Sequence, residues 1–204
     1  MRGLFVTGTD TGVGKTVLSA ALMLRFPESA YWKPIQTGTR DDTGDDTAEV
    51  QRLSGGRVID EGVRLPDPVS PHLAARRAGM RIELPGRKND GTVYIAEGAG
   101  GVLVPVNESE TMAELMTILG LPVIVAARTT LGTINHTLLT LEALRARKLR
   151  IAGVVMIGDR NADNRAAIEH HGKVAVLAEM PRFDPLTQES LRAWAENLPK
   201  DLIA

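Results

Sequence analysis

Five nearly unbroken apolar runs punctuate the chain: "GLFVT" at 3–7, "TVYIAEG" at 92–98, "PVIVAA" at 122–127, "IAGVVMI" at 151–157 and "VAVLAEM" at 174–180. Each has the length of a strand, and none shows the strict alternation of a strand with one wet face, so they read as strands buried on both sides. A further short apolar run ends just before Lys33 and reads as the second strand in sequence. Between these runs, apolar positions recur every three or four residues over 15–26, 111–120, 133–148 and 164–171, which predicts helices. Strand and helix alternate. That order predicts an α/β fold with a mostly parallel sheet, helices on both of its faces and ligands at the carboxyl ends of the strands. Two stretches break the rhythm: polar residues 37–50 read as a loop feeding a helix, and 79–91, with Pro85 and three glycines, as an exposed connection.

Composition narrows the class. At 204 residues without an internal repeat or linker, one domain spanning 1–204 is expected. Cysteine is absent, which excludes a disulfide framework, a thiolate metal site and a cysteine nucleophile. A net charge of -1 and only 3% aromatic residues give no footprint for nucleic acid. No apolar run approaches the ~20 residues that cross a bilayer, and the N-terminus does not read as a signal peptide, so no membrane partner and a cytoplasmic location are expected.

The most informative stretch follows the first strand. "GTDTGVGKT", from Gly8 to Thr16, joins a strand to a helix with three glycines, and such a turn aims backbone N–H groups at an anion. Lys15 is placed to neutralise outer phosphates and the Thr16 hydroxyl to hold magnesium. Five residues separate Gly8 from Gly14, one more than usual, while Gly14-Lys15-Thr16 is intact. A bare strand-to-helix turn with a surface lysine is the bland alternative. The motif in its required context instead specifies a P-loop NTPase-type fold that takes a nucleoside triphosphate.

Other carboxyl-edge segments supply candidates for the chemistry. "AYWKPIQTG" brings Lys33 and Thr37 to a strand end, where a second lysine would attract transferring phosphate; otherwise Lys33 is a surface lysine. "VYIAEGAGG" ends a buried run on Glu97, either a carboxylate facing magnesium or a solvated turn residue. Asp41, Asp42, Asp45 and Asp46 form an acidic cluster in which spacing alone does not say which member turns inward. His72, His136, His170 and His171 lack metal-ligand spacing and read as packing or surface residues.

Taken together, "GTDTGVGKT", "KPIQTG", "PVSPHLAA", "EGAGGVLVPV" and "LGTINHTLLT" resemble dethiobiotin synthetase, in the family's order from residue 3 to about 181. The resemblance implies a homodimer that closes the ureido ring of dethiobiotin from diaminopelargonic acid, carbon dioxide and ATP with magnesium. It implies Lys33 and Lys15 as catalytic lysines. By the same likeness Gly12, Val13, Gly14, Lys15, Thr16 and Val17 bind phosphates, and Asp46, Glu97, Gly98, Ala99 and Gly100 complete the nucleotide side. Thr16, Asp46 and Glu97 match the magnesium positions, and Thr11 and Thr37 the substrate contacts. Gly132, Thr133 and Asn135 resemble the segment that reaches the neighbouring subunit's substrate carboxylate, which implies an active site across the dimer interface. Pro181, Arg182 and Phe183 resemble a nucleotide-rim loop. The chain departs from the family in having Gly12 where glutamate is frequent, and Ile157-Gly158 where an asparagine-aspartate pair reads the base. Two other readings share the phosphate loop: a P-loop ligase or amidase that activates a carboxylate, and a ParA/MinD-like ATPase switch. The switches carry an extra lysine early in the loop, whereas residues 9–13 read "TDTGV".

Overall fold

The computed structural model describes residues 1–40 and 45–203. Asp41 and Asp42 of the acidic cluster lie outside the described residues. The first strand, β1 (Arg2–Gly8), is the centre of the sheet because both of its faces are apolar. Leu4 and Val6 enter one core cluster and Phe5 the other. The phosphate loop leads into α1 (Lys15–Arg25), and the chain continues through β2 (Ser29–Trp32), β3 (Ile35–Thr37), α2 (Asp46–Ser54), β4 (Arg57–Ile59), β5 (Val63–Leu65) and α3 (Pro71–Arg77). The second half alternates regularly: β6 (Val93–Gly101), α4 (Met112–Leu119), β7 (Val123–Arg128), α5 (Thr133–Ala146), β8 (Ile151–Ile157), α6 (Ala162–Gly172), β9 (Val176–Met180) and α7 (Gln188–Ala195).

Among the described residues, seven strands form one sheet in the order β4-β2-β6-β1-β7-β8-β9, with every pairing parallel. Helices α1, α2 and α7 bury Leu18, Leu22, Leu53, Leu191 and Trp194 against one face, while α4, α5 and α6 bury Leu115, Met116, Leu141 and Ile168 against the other. The doubly covered parallel sheet is the architecture that the apolar runs predict. β1 lies between β6 and β7, so the chain winds away from it in both directions, and the carboxyl end of β1 opens the crevice where such folds hold ligands. No helix among the described residues is long and apolar enough to cross a membrane.

Three details differ from the sequence reading. β6 does not end at Glu97: pairing continues with Gly8 opposite Gly101, so Glu97 is an interior strand residue opposite Val6. β3 and β5 pair as a separate small sheet beside the main one, and α3 and α7 add helices that the periodicity did not single out. Residues 80–89 form no regular element, in keeping with an exposed connection.

Candidate active site

The register of three adjacent strands gathers the site. Tyr31 of β2 stands opposite Ile95 of β6, so two residues further on Lys33 comes beside Glu97, on the same face of the sheet. That face is covered by α1, whose first turn carries Lys15 and Thr16 and whose next turn carries Ser19. α2 adds Asp46 from the side. Asp45 caps α2 by accepting from the Thr47 N–H at 2.8 Å, which leaves Asp46 in the first turn and free to face the cavity. The structure thus separates two members of the acidic cluster by role.

Glu97 is fully buried, and both of its oxygens are engaged. Oε2 accepts from Ser19 Oγ at 2.7 Å and from the Tyr31 hydroxyl at 3.1 Å, on the side away from the cavity. Oε1 accepts from Lys33 Nζ at 2.9 Å and Thr16 Oγ1 at 3.3 Å. Lys33 also bonds Asp46, and Thr16 Oγ1 donates to Asp46 Oδ1 at 2.7 Å. A buried carboxylate survives only when paired and hydrogen-bonded, and here Ser19, Tyr31 and Lys33 meet that need, with the single Thr16 proton shared between Glu97 and Asp46. Burial alone would lower the pKa of Lys33, but the carboxylates of Glu97 and Asp46 outweigh it and hold the ammonium form. Lys15 moves the other way, lowered by burial and by the nearby positive charge of Lys33 despite the pull of Glu97. Burial would raise Asp46, yet its bond to Lys33 keeps it below the ordinary carboxylate range. Burial, then the charge of Glu97, pushes the Tyr31 phenol well up, so it remains a donor.

These groups open into a cavity of about 650 Å³. Of the residues singled out from sequence, Thr11, Gly12, Gly14, Lys15, Thr16, Val17, Lys33, Thr37, Asp46, Glu97, Ala99 and Gly100 line it, joined by Gln36 and the 68–71 turn. The phosphate loop is held from within by Lys15 Nζ, which donates to Asp10 O at 3.2 Å, and by Arg128, whose guanidinium reaches Thr11 O at 3.0 Å.

Not all predicted residues meet here. Val13 is buried beneath the loop in the α1-side core, and Gly98 faces the Phe5 ring on the opposite side of the sheet. Gly132 adopts the left-handed conformation at φ 93 and starts α5, where Thr133 Oγ1 donates to Arg128 O at 2.5 Å and Asn135 is exposed. Further along α5, His136, Leu139 and Thr140 line a second hollow, of about 410 Å³, together with Gly8–Thr11 of the phosphate loop; Gly132, Thr133 and Asn135 do not line it. Pro181, Arg182 and Phe183 follow β9 at the edge of the sheet, with the first two exposed and Phe183 packed against the α1-side core; none lines the main cavity.

Sequence reasoning missed Ser19, Tyr31 and Arg64. Period was the available signal: Ser19 lies one helical turn after Thr16, and Tyr31 two residues before Lys33. Arg64 of β5 donates to Lys33 O at 3.3 Å, Thr47 Oγ1 at 3.0 Å and Asp60 Oδ1 at 3.0 Å, tying the lysine's backbone to α2. No spacing rule points to it.

Fold and site together define a P-loop nucleotide-binding protein. Solved structures share the fold at low identity: a putative plasmid partition protein of Borrelia burgdorferi bound to AMPPNP (TM-score 0.58, 12% identity, 96% of this chain and 95% of that one) and the cell division ATPase MinD of Pyrococcus furiosus (TM-score 0.54, 14% identity, 98% and 90%). The AAA domain family model matches residues 2–190. Sequence relatives are far nearer: the ATP-dependent dethiobiotin synthetase of Paramagnetospirillum magneticum is 50% identical over 94% of this chain and 93% of its own length. That of Nitrobacter hamburgensis is 47% identical over 97% and 95%. A bifunctional biotin biosynthesis protein of Bordetella avium is 46% identical over 97% of this chain, which spans 43% of that longer protein. The chain belongs to the dethiobiotin synthetase family.

Proposed function

We propose that this protein closes the ureido ring of dethiobiotin from diaminopelargonic acid, carbon dioxide and ATP. The observation that carries this reading is the meeting of Lys33 with two carboxylates and the phosphate-loop threonine in one cavity, at the carboxyl edge where the loop can present a triphosphate. Family membership supports the substrate assignment. One amine of the substrate takes up carbon dioxide as a carbamate and releases a proton. The carbamate oxygen then attacks the γ-phosphorus as the bond to ADP breaks. The second amine attacks the carbonyl carbon of the mixed anhydride, expels phosphate, loses a proton and closes the ring. No side-chain nucleophile is needed. The residues supply positioning and charge, and good positioning is worth about 7–11 kcal/mol of barrier.

Lys15 and Lys33 carry the positive charge toward the transferring phosphoryl group. Gly12, Gly14, Val17, Ala99 and Gly100 bring backbone close to the nucleotide, while Thr11 and Thr37 face the substrate side. The oxygen-only set of Thr16, Asp46 and Glu97 suits magnesium, which is held by one or two carboxylates together with substrate phosphates. When bound, magnesium would neutralise charge on the triphosphate. Incubation of purified protein with diaminopelargonic acid, bicarbonate and ATP is expected to yield dethiobiotin, detected by mass. Phosphate release without ring closure would instead support the switch.

The active form is a homodimer in this reading. Leu131 is 103% exposed in the turn before α5, and Leu139 and Leu103 are more than half exposed around the second hollow, apolar residues near Gly132, Thr133 and Asn135 in the chain or lining that hollow. Light scattering is expected to give twice the 22.0 kDa chain mass, and Leu131→Asp to shift it toward one chain with loss of turnover. A wild-type monomer with full activity would remove the dimer from the account.

A further inference from the structure

The two oxygens of Glu97 have different surroundings. Oε1 faces Thr16 and Lys33, both of which line the cavity; Oε2 is turned inward to Ser19 and Tyr31, which do not. Ser19 and Tyr31 are fully buried, in α1 and β2, so neither side chain has room to reorient without disturbing the packing of the sheet against α1. Two fixed donors on one carboxylate oxygen hold the plane of the group. Without them only the partners of Oε1, Lys33 and the shared Thr16 hydroxyl, would restrain rotation about the last carbon-carbon bond, and the cavity oxygen would gain freedom to move.

We propose that Tyr31 and Ser19 are positioning residues that lock the Glu97 carboxylate so that Oε1 alone is presented to the divalent ion. The inference rests on the reading of Thr16, Asp46 and Glu97 as the magnesium site and adds two residues behind it that no motif of the chain announces. Outer partners of metal ligands act in this way, and their loss weakens metal binding about 10–100-fold. Tyrosine at position 31 is the sharper test, because phenylalanine keeps the ring and its packing and removes only the donor.

The experiment is a titration of Mn2+ into the protein with a non-hydrolysable ATP analogue, read by the electron paramagnetic resonance of free manganese. Nucleotide binding without divalent ion and the thermal melting curve are measured alongside. Tyr31→Phe is expected to weaken manganese binding about tenfold, with the metal-free affinity for the analogue unchanged. Ser19→Ala, which deletes the other donor to the same oxygen, is expected to do the same and carries the test if Tyr31→Phe does not fold. A general distortion of the cavity would weaken both kinds of binding. Wild-type manganese affinity in a folded variant would overturn the positioning role alone. If the unsubstituted protein bound the analogue but took up no manganese, the magnesium assignment would fall and this inference with it.

Discussion

Lys33→Ala is expected to lower ring closure by about a hundred- to a thousandfold, the scale seen when a charge-stabilising group is removed from a water-excluded site. Lys33 is 3% exposed and its ammonium bridges Asp46 and Glu97, so its loss also leaves a fully buried carboxylate without its cation. Breaking a buried pair in this way costs about 3–5 kcal/mol, and for a chain of this size each kcal/mol lowers the melting temperature by about 2–4 °C. Thermal melting is therefore expected to fall by about 6–20 °C, and magnesium with nucleotide to restore part of it. The pH dependence follows from the raised pKa of Lys33. Its contribution is present in full below the unfolded lysine value of about 10.4 and is lost only as pH rises through the higher folded value. Turnover equal to wild type, measured as dethiobiotin formed, would remove Lys33 from the chemistry.

The second large effect is expected at Gly8. A methyl group there would lie 2.5 Å from Val13 Cγ1 and 3.0 Å from the Asp10 carbonyl oxygen. Val13 is packed into the core beneath the loop and is stiff about χ1, so it yields poorly. The loop would have to open, and the Asp10 carbonyl that receives Lys15 would move with it. Gly8→Ala is expected to weaken ATP-analogue binding by calorimetry and to lower ring closure about a hundredfold, since displacement of about 1 Å is enough for such a loss of rate. A variant that binds the analogue as tightly as wild type would show that the loop accommodates the added carbon.

Much of the fold was legible because its strands are buried on both faces and so appear as apolar blocks. The overshoot of β6 past Glu97 was hidden by "GAGG", whose glycines read as a loop but continue the pairing with β1. β3 and β5, three residues each, are too short to show a period, and α7 has only Leu191, Trp194 and Ala195 as its buried stripe. At the site, the phosphate loop and Lys33 announced themselves through charge beside glycine or at a strand end. Tyr31 and Ser19 did not, because a tyrosine in an apolar strand and a serine in an apolar helix look like packing. Their polar ends matter only once Glu97 is known to lie between them. Val13 and Gly98 show the converse: each sits within a recognisable motif, yet its side faces the core.

The juxtaposition of Lys33 and Glu97 is written in hydrogen bonds between neighbouring backbones, since Tyr31 aligns with Ile95. Because successive residues of a strand face opposite ways, losing one residue from 29–32 would carry the lysine to the wrong side of the sheet at a stroke. A single deletion between Ser29 and Lys33 is therefore expected to disarm the enzyme while leaving its core composition nearly intact.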